Sequence, residues 1–502
     1  MIHLTARWHV FLGIVIVFGF VLGSNSHVSG QDRKRPNILL AISDDQSYPH
    51  CSAYGCTFVS TPAFDKVAKE GVLFRNGYAA SCGCSPSRAA LLTGRHPWQL
   101  EQAGTHASSF PTKYVSVMDL LESAGYVVGY TGKPWGPGNW KTSGWKRNPA
   151  GPAFNAKKLK PPAKGVRNTD YAENFKAFLK TRDKDQPFCF WFGASEPHRS
   201  YQDGIGLKTG GKLKNVQVPG FLPDTKLVRS DLLDYAFEVE WFDQHLAKMI
   251  AHLEAIGELD NTIIIVTADN GMPFPRAKAN LYEYGIHVPL AIRWGDHAKG
   301  GRVVDDLVGF VDFAPTMLDA AGKRPHKQMS GKSLLKLLKS DKSGLVEPDR
   351  VAYVSRERHS SSRVNNWTYP CRCLRKGDYL LIRNFKTDRW PAGDPRGVKG
   401  AKFGYYDIDA CPTKTFMIEQ KNKYRKYFDW AVGKRPEYEF FNVKKDADCL
   451  HNLADSKAHR QSFTDMQRHL NEYLRVTGDP RVLGNGDIWE SYKRYSPIRK
   501  FE

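Results

Sequence analysis

Asn37-Ile38-Leu39-Leu40-Ala41-Ile42-Ser43, closing on Asp44-Asp45, decides how this 502-residue chain folds. A short apolar run without alternation is the pattern of a parallel strand covered on both faces. Two carboxylates stand where that strand stops. The arrangement recurs downstream: 126–131 runs into Gly132-Lys133, 187–194 into Glu196-Pro197-His198-Arg199, and 262–268 into Asp269-Asn270-Gly271. Further strands are expected at 72–78 and 288–294. Helical stretches separate them, at 61–70 (opened by Thr61-Pro62 as cap and stopped by Gly71), 115–124, 170–180, 230–256 and 312–321. Alternating β and α elements with polar clusters past strand C-termini predict an α/β fold with a large, mostly parallel mixed sheet. In such a sheet the ligand binds along that edge.

The texture changes near residue 345, where charge rises and apolar periodicity weakens. Short antiparallel strands are expected at 367–369, 379–382 and 439–442, with a closing helix at 462–475. The expected organisation is therefore a catalytic domain over 31–345 and a smaller C-terminal α+β domain over 346–502 that contributes to the pocket. The Gly-, Pro-, Trp- and Lys-rich segment 134–164 reads as a long loop, and the tail after Gly478 as partly extended.

At the N-terminus Arg7 precedes an apolar run over 10–22, then small and polar residues through Gly30. That is the layout of a secretory signal over 1–30, with an apolar run too short for a comfortable membrane span. The chain is expected to be exported, periplasmic or secreted, or lysosomal in a eukaryotic source. Lys and Arg number 73 against 52 Asp and Glu, a net charge of +21. A field of that sign draws polyanions. In an exported protein a sulfated polysaccharide fits better than nucleic acid. Of nine cysteines, eight remain once Cys84 is set aside. Cys189 reads as a buried hydrophobe. Cys371 and Cys373, one residue apart, are each expected to pair elsewhere, with Cys411 and Cys449 as candidates.

Cys84-Ser85-Pro86-Ser87-Arg88-Ala89-Ala90-Leu91-Leu92-Thr93-Gly94-Arg95 carries the chemistry. Pro86 suits a first helical turn, which puts Cys84 near a helix N-terminus, a place that favours anions. Arg88 lies about one turn on, within reach of an anionic oxygen, and Arg95 reads as scaffold.

The run fits Cys-x-Pro-Ser-Arg-x-x-x-Leu-Thr-Gly-Arg at every fixed position. With 37–45, Gly132-Lys133, Pro197-His198-Arg199, 267–271, Leu281-Tyr282-Glu283 and Val311-Asp312-x-Ala314-Pro315-Thr316, it resembles the type I, formylglycine-dependent sulfatases of the alkaline phosphatase-like superfamily, over roughly 36–454. Asp269 to Pro275 followed by Asn280-Leu281-Tyr282 is most similar to the heparan N-sulfatase branch. The resemblance implies an α/β/α sandwich. It also implies conversion of Cys84 to Cα-formylglycine by a formylglycine-generating enzyme. A geminal diol suits sulfate hydrolysis because its second hydroxyl can expel the sulfate that the first has captured.

The resemblance further implies a calcium ion held by Asp44, Asp45, Asp269, Asn270 and residue 84, all offering oxygen once the cysteine is modified. It makes Arg88, Lys133 and Lys278 sulfate-site cations, with Arg276 a competitor for Lys278, and His198 the proton donor or sulfate contact. His359 and Arg372 become substrate contacts, and the substrate N-sulfoglucosamine or an O-sulfated sugar of a polysaccharide. One departure stands out. Family members commonly have Lys-x-His where this chain has Lys133-Pro134-Trp135, and an indole cannot accept a proton. His50, His96, His106 and His287 are candidate replacements. Trp135 and Trp140 either stack on a sugar ring or pack in the core. A phosphate or phosphonate hydrolase on the same scaffold, or a non-catalytic binder of sulfated glycans, are the alternatives; the first would normally carry Thr or Ser in place of Cys84.

Overall fold

The computed structural model describes residues 35–397 and 403–496, together with Trp8. The expected signal over 1–30 lies, apart from Trp8, outside the described residues. From Arg35 onward the described residues form one compact unit.

Eight strands make the large sheet: β1 (Asn37–Ser43), β2 (Val72–Tyr78), β3 (Val127–Gly132), β4 (Phe188–Gly193), β5 (Thr262–Ala268), β6 (His287–Trp294), β7 (Arg302–Val304) and β8 (Val308–Gly309). Their order is β3-β4-β1-β5-β6-β2-β7, with β8 beside β2. β1 sits between β4 and β5, parallel to both, and every residue of it is buried. β6 alone runs antiparallel, against β5 and β2. Alternate residues of β1 feed two cores. Ile38, Leu40 and Ile42 pack with Leu91, Met118, Leu121 and Met317 on one face. Leu39 and Ala41 pack with Phe64, Phe175, Phe178 and Leu246 on the other. Helices on both faces of a mixed, mostly parallel sheet give the expected α/β/α sandwich.

Helix α1 (Pro62–Glu70) starts as expected, but Thr61 does not cap it through its hydroxyl. The N–H groups of Ala63 and Phe64 instead donate to the Asp243 carboxylate, each at 2.8 Å. Asp243 belongs to the long helix Lys226–Ala255, which begins one turn before the expected residue 230, capped by Thr225.

The second sheet holds β9 (Ala352–Arg356), β10 (Cys371–Lys376), β11 (Tyr379–Asn384) and β12 (Tyr438–Asn442), antiparallel throughout in the order β12-β11-β10-β9. The helix Arg460–Val476 covers it, setting Phe463, Met466, Leu470 and Leu474 against Leu374, Leu381 and Phe440. Two expectations are corrected. Residues 367–369 are not a strand, because Pro370 has no N–H for a ladder and Thr368 bonds to the Glu490 carboxylate instead. All nine cysteines are free thiols. Cys371 and Cys373 share a buried apolar cluster with Cys82 and Cys449, where they pack as small hydrophobes.

Candidate active site

Because β1, β3, β4 and β5 are mutually parallel, their C-terminal ends share one edge. Asp44 and Asp45 follow β1, Asp269 and Asn270 follow β5, His198 follows β4 and Lys133 follows β3. β2 leads to helix α2 (Cys84–Thr93), all ten residues of which are buried. Gly83 precedes it in extended backbone, and a Cβ there would lie 3.0 Å from Nδ1 of His359. Gly94, at φ +63°, ends it in the left-handed conformation that glycine adopts without strain. Cys84 is thereby the first helical residue, its Sγ 3.5 Å from Asp44 Oδ1 and 3.9 Å from Asp45 Oδ1.

Ligand atoms of Asp44, Asp45, Cys84 and Asp269 all lie within 4.8 Å of one another, buried. Asn270 donates from Nδ2 to Asp45 Oδ1 at 2.7 Å, while its own Oδ1, buried, accepts no hydrogen bond from the protein. An orphaned amide oxygen beside three carboxylates is a donor set that suits a hard divalent cation. Asp45 has φ +71°, uncommon outside glycine, and its N–H donates to Asp269 Oδ1 at 3.1 Å.

Three cations stand against these acids. Arg88 donates from Nε to Asp269 Oδ2 at 2.8 Å and from Nη1 to the Lys133 carbonyl at 2.8 Å. Nζ of Lys133 lies 2.5 Å from Asp44 Oδ2. Nζ of Lys278 lies 2.5 Å from Asp45 Oδ2 and 3.3 Å from Asp409 Oδ2. Burial works against all three carboxylates, yet Lys133 and Lys278 hold Asp44 and Asp45 below the ordinary value. Asp269 goes the other way, raised by burial and by the neighbouring Asp44. Burial and Asp44 likewise push the Cys84 thiol well up. His198 donates from Nδ1 to the Arg199 carbonyl at 2.7 Å, and its Nε2 lies 3.9 Å from Asp45 Oδ2. Burial and then the Lys278 charge bring it down to about 4, a neutral ring with its lone pair toward the acids.

These groups open into a cleft of about 760 Å³ lined by Asp44, Cys84, Lys133, His198, Lys278 and, from the C-terminal region, His359. Trp135 takes the second of its two expected roles, and Arg372 needs correction as a substrate contact. Trp135 is 2% exposed. Its Nε1 donates to the Ser85 carbonyl at 3.1 Å and its ring meets Phe110 edge-on, so it buttresses helix α2 and offers no sugar platform. Arg372 is wholly buried, donating to Asp479 and to Glu357, away from the cleft. Trp140 packs partly buried against the core.

Arg276 donates to the Trp430 carbonyl and lies over the Tyr282 ring, leaving Lys278 as the cation at the acids. His50, His96 and His287 are held by Tyr235, Tyr473 and Glu283 respectively. His106 does line the cleft, its ring 4.5 Å from that of His359. Asp409 was not legible in the sequence, since no motif or strand end marks it.

A family model described as "Sulfatase" matches residues 36–323, and one described as "N-sulphoglucosamine sulphohydrolase, C-terminal" matches 276–395. The human N-sulphoglucosamine sulphohydrolase is 30% identical over 505 residues, covering 92% of this chain and 95% of that protein. An ulvan-active sulfatase of Formosa agariphila is 25% identical, covering 91% and 77%. A solved structure of a protein in complex with its substrate D-glucosamine-2-N,6-O-disulfate shares the fold, with a TM-score of 0.64, 23% identity, and 89% and 99% of the two chains covered.

Proposed function

The chain belongs to the sulfatase family, and from that premise we propose that it removes sulfate from a sulfated carbohydrate, with Cys84 converted to Cα-formylglycine. N-sulfoglucosamine is the first substrate, an O-sulfated sugar of a polysaccharide the second. The observation that carries the reading is the position of Cys84. It opens a buried helix at the strand edge, within 3.9 Å of two carboxylates and ringed by Arg88, Lys133 and Lys278. As a thiol with a raised pKa it would be a poor nucleophile; as the precursor of an aldehyde hydrate it is well placed.

One hydroxyl of the hydrate attacks sulfur while the S–N or S–O bond to the sugar breaks and the leaving group takes a proton. The second hydroxyl then loses its proton, the C–O bond to sulfate breaks, the aldehyde re-forms and water rehydrates it. Lys133 and Lys278, which line the cleft, face the oxygens on which charge develops, and the wholly buried Arg88 ties Asp269 to the Lys133 carbonyl beneath them. The charge of bound sulfate favours the imidazolium of His198, which then gives its Nε2 proton to the leaving amine or alcohol. A calcium ion held by Asp44, Asp45, Asp269, Asn270 and residue 84 would polarise the sulfate as a Lewis acid. Asp44, Asp45, Asp269 and Asp409 face Arg88, Lys133 and Lys278, four acids against three cations, so a divalent ion there would tip the site to net positive for an anionic substrate.

The same reading assigns 1–30 as a signal for export and a formylglycine-generating enzyme as the maturation partner. It assigns 31–345 as the catalytic domain and 346–502 as a smaller domain that lends His359 to the cleft, and takes the +21 charge as matched to a polyanionic glycan. Among the described residues no helix is long and apolar enough to cross a membrane. The test is sulfate release from N-, 2-O-, 3-O- and 6-O-sulfated glucosamines by matured enzyme. Release from the N-sulfated sugar is expected. Turnover of O-sulfated sugars alone rejects the N-sulfatase assignment, and hydrolysis of phosphonates but no sulfate overturns the whole reading.

A further inference from the structure

The chain beyond the helix Arg460–Val476 doubles back to the mouth of the cleft. Trp489 is buried in the apolar cluster under the small sheet, and Glu490 accepts from the Thr368 N–H at 2.8 Å and from Arg389 at 2.7 Å. Three bonds then lay 492–496 along the segments that carry His106 and His359. Arg358 donates to the Tyr492 carbonyl at 2.6 Å, the Ser108 hydroxyl to the Lys493 carbonyl at 2.7 Å, and the Tyr495 N–H to the Ala107 carbonyl at 2.7 Å. Arg494 and Ser496 are thereby delivered to the cleft wall.

The charge around them is one-sided. Lys164, Arg167 and Arg494 line the cleft along with the sulfate-site lysines, and among the described residues Asp44, which is bonded to Lys133, is the one acid on that wall. Arg358 is 2% exposed, and burial followed by the nearby Arg494 charge brings it down to about 10. Burial brings Arg494 to about 10 as well, opposed by Asp407, a carboxylate already bonded to Arg356 and Arg363. Arg494 also donates from Nη1 to the Ser496 carbonyl at 3.2 Å, which sets its guanidinium on the cleft wall, where a planar fork can take up an anionic group.

We propose that Arg494, carried by the C-terminal strap, is a specificity residue that binds a second anionic group of the substrate, a second sulfate or a uronate carboxylate. This rests on the reading of the cleft as a sulfatase site, in which Lys133 and Lys278 hold the sulfate to be cleaved. A planar guanidinium serves either group through paired N–H donors.

The test uses the full-length matured enzyme with Arg494→Gln and Arg494→Lys, and three substrates. These are a monosulfated glucosamine, a disulfated glucosamine, and a disaccharide joining a monosulfated glucosamine to a uronate. For Arg494→Gln the kcat/KM on one of the two dianionic substrates, relative to the monosulfated one, should fall about tenfold or more, chiefly through KM. Arg494→Lys should recover part of it. Which dianionic substrate suffers identifies the group. With wild-type turnover present, an equal effect on all three substrates, or none, overturns the proposal. Absence of wild-type sulfate release from all three would instead sink the sulfatase reading beneath it.

Discussion

Around residue 84 the proposed function divides the side chains into those that would meet the sulfate and those that hold the others still. Cys84→Ala should lower sulfate release by at least about a thousandfold with an unchanged far-UV circular dichroism spectrum. Lys278→Ala removes a sulfate-site cation and also leaves Asp45 and Asp409 without its charge. It should cost about 10²–10³ in kcat and lower the melting temperature as well. Trp135 is the sharper case, since a sugar platform and a buttress fail differently. Trp135→Phe keeps an aromatic face but loses the bond to the Ser85 carbonyl. Kinetics on the preferred sugar should show kcat falling with KM nearly constant, and denaturation a loss of about 1 kcal/mol; a rise confined to KM would restore the stacking role. Of the proposed catalytic residues, Lys133 and His198 were legible because they follow apolar strands and Cys84 and Arg88 because they sit in the Cys84 run, whereas Lys278, ten residues past β5, was marked only by the family resemblance. Arg372 was misread, and Trp135 left undecided, because sequence does not report whether a polar-tipped side chain ends at a cleft or at a buried partner. Arg372 finds its partners at Glu357 and Asp479, far apart in the chain.

At the level of elements, helix α1 takes its cap from a residue 180 positions away in sequence. Asp243→Ala should lower stability by about 1–2 kcal/mol, read from the denaturant midpoint, whereas Thr61→Ala, which removes no cap from this helix, should cost less. The strands of the large sheet were legible as short apolar runs, but such a run carries no direction, so the reversal of β6 was hidden. β10, Cys371-Arg372-Cys373-Leu374-Arg375-Lys376, was missed for the opposite reason. Its arginines look solvated in sequence, yet Arg372 and Arg375 are buried against Asp479, Glu357, Glu283 and Tyr78. The strap at 492–496 has no periodicity, and only its bonds to Arg358, Ser108 and Ala107 give it a place.

Across the whole molecule, charge ties the two sheets to one site. Asp407 is 1% exposed and joins Arg356 of β9 to Arg363 and Ser360, on either side of the segment bearing His359. Burial opposes its ionisation, but Arg363 and Arg356 outweigh that and hold it at about 2, against an ordinary 3.8. A carboxyl lowered in the folded state stabilises above its unfolded value and loses that contribution as pH falls toward the folded one. The stability advantage of wild type over Asp407→Asn should therefore shrink by on the order of 2 kcal/mol between pH 5 and pH 2, measured by chemical denaturation. Chelation of the matured enzyme should lower both sulfate release and melting temperature, with calcium restoring both. Melting indifferent to chelator and calcium alike would remove the ion from the account.

The most direct measurement is peptide mass spectrometry across residue 84, on enzyme matured with its formylglycine-generating partner and assayed for sulfate release in the same preparation. Replacing SH and H by a carbonyl oxygen makes the peptide lighter by about 18 Da, and the converted fraction should track turnover from one preparation to the next. Full turnover in a preparation whose residue-84 peptide retains an intact thiol would contradict the account.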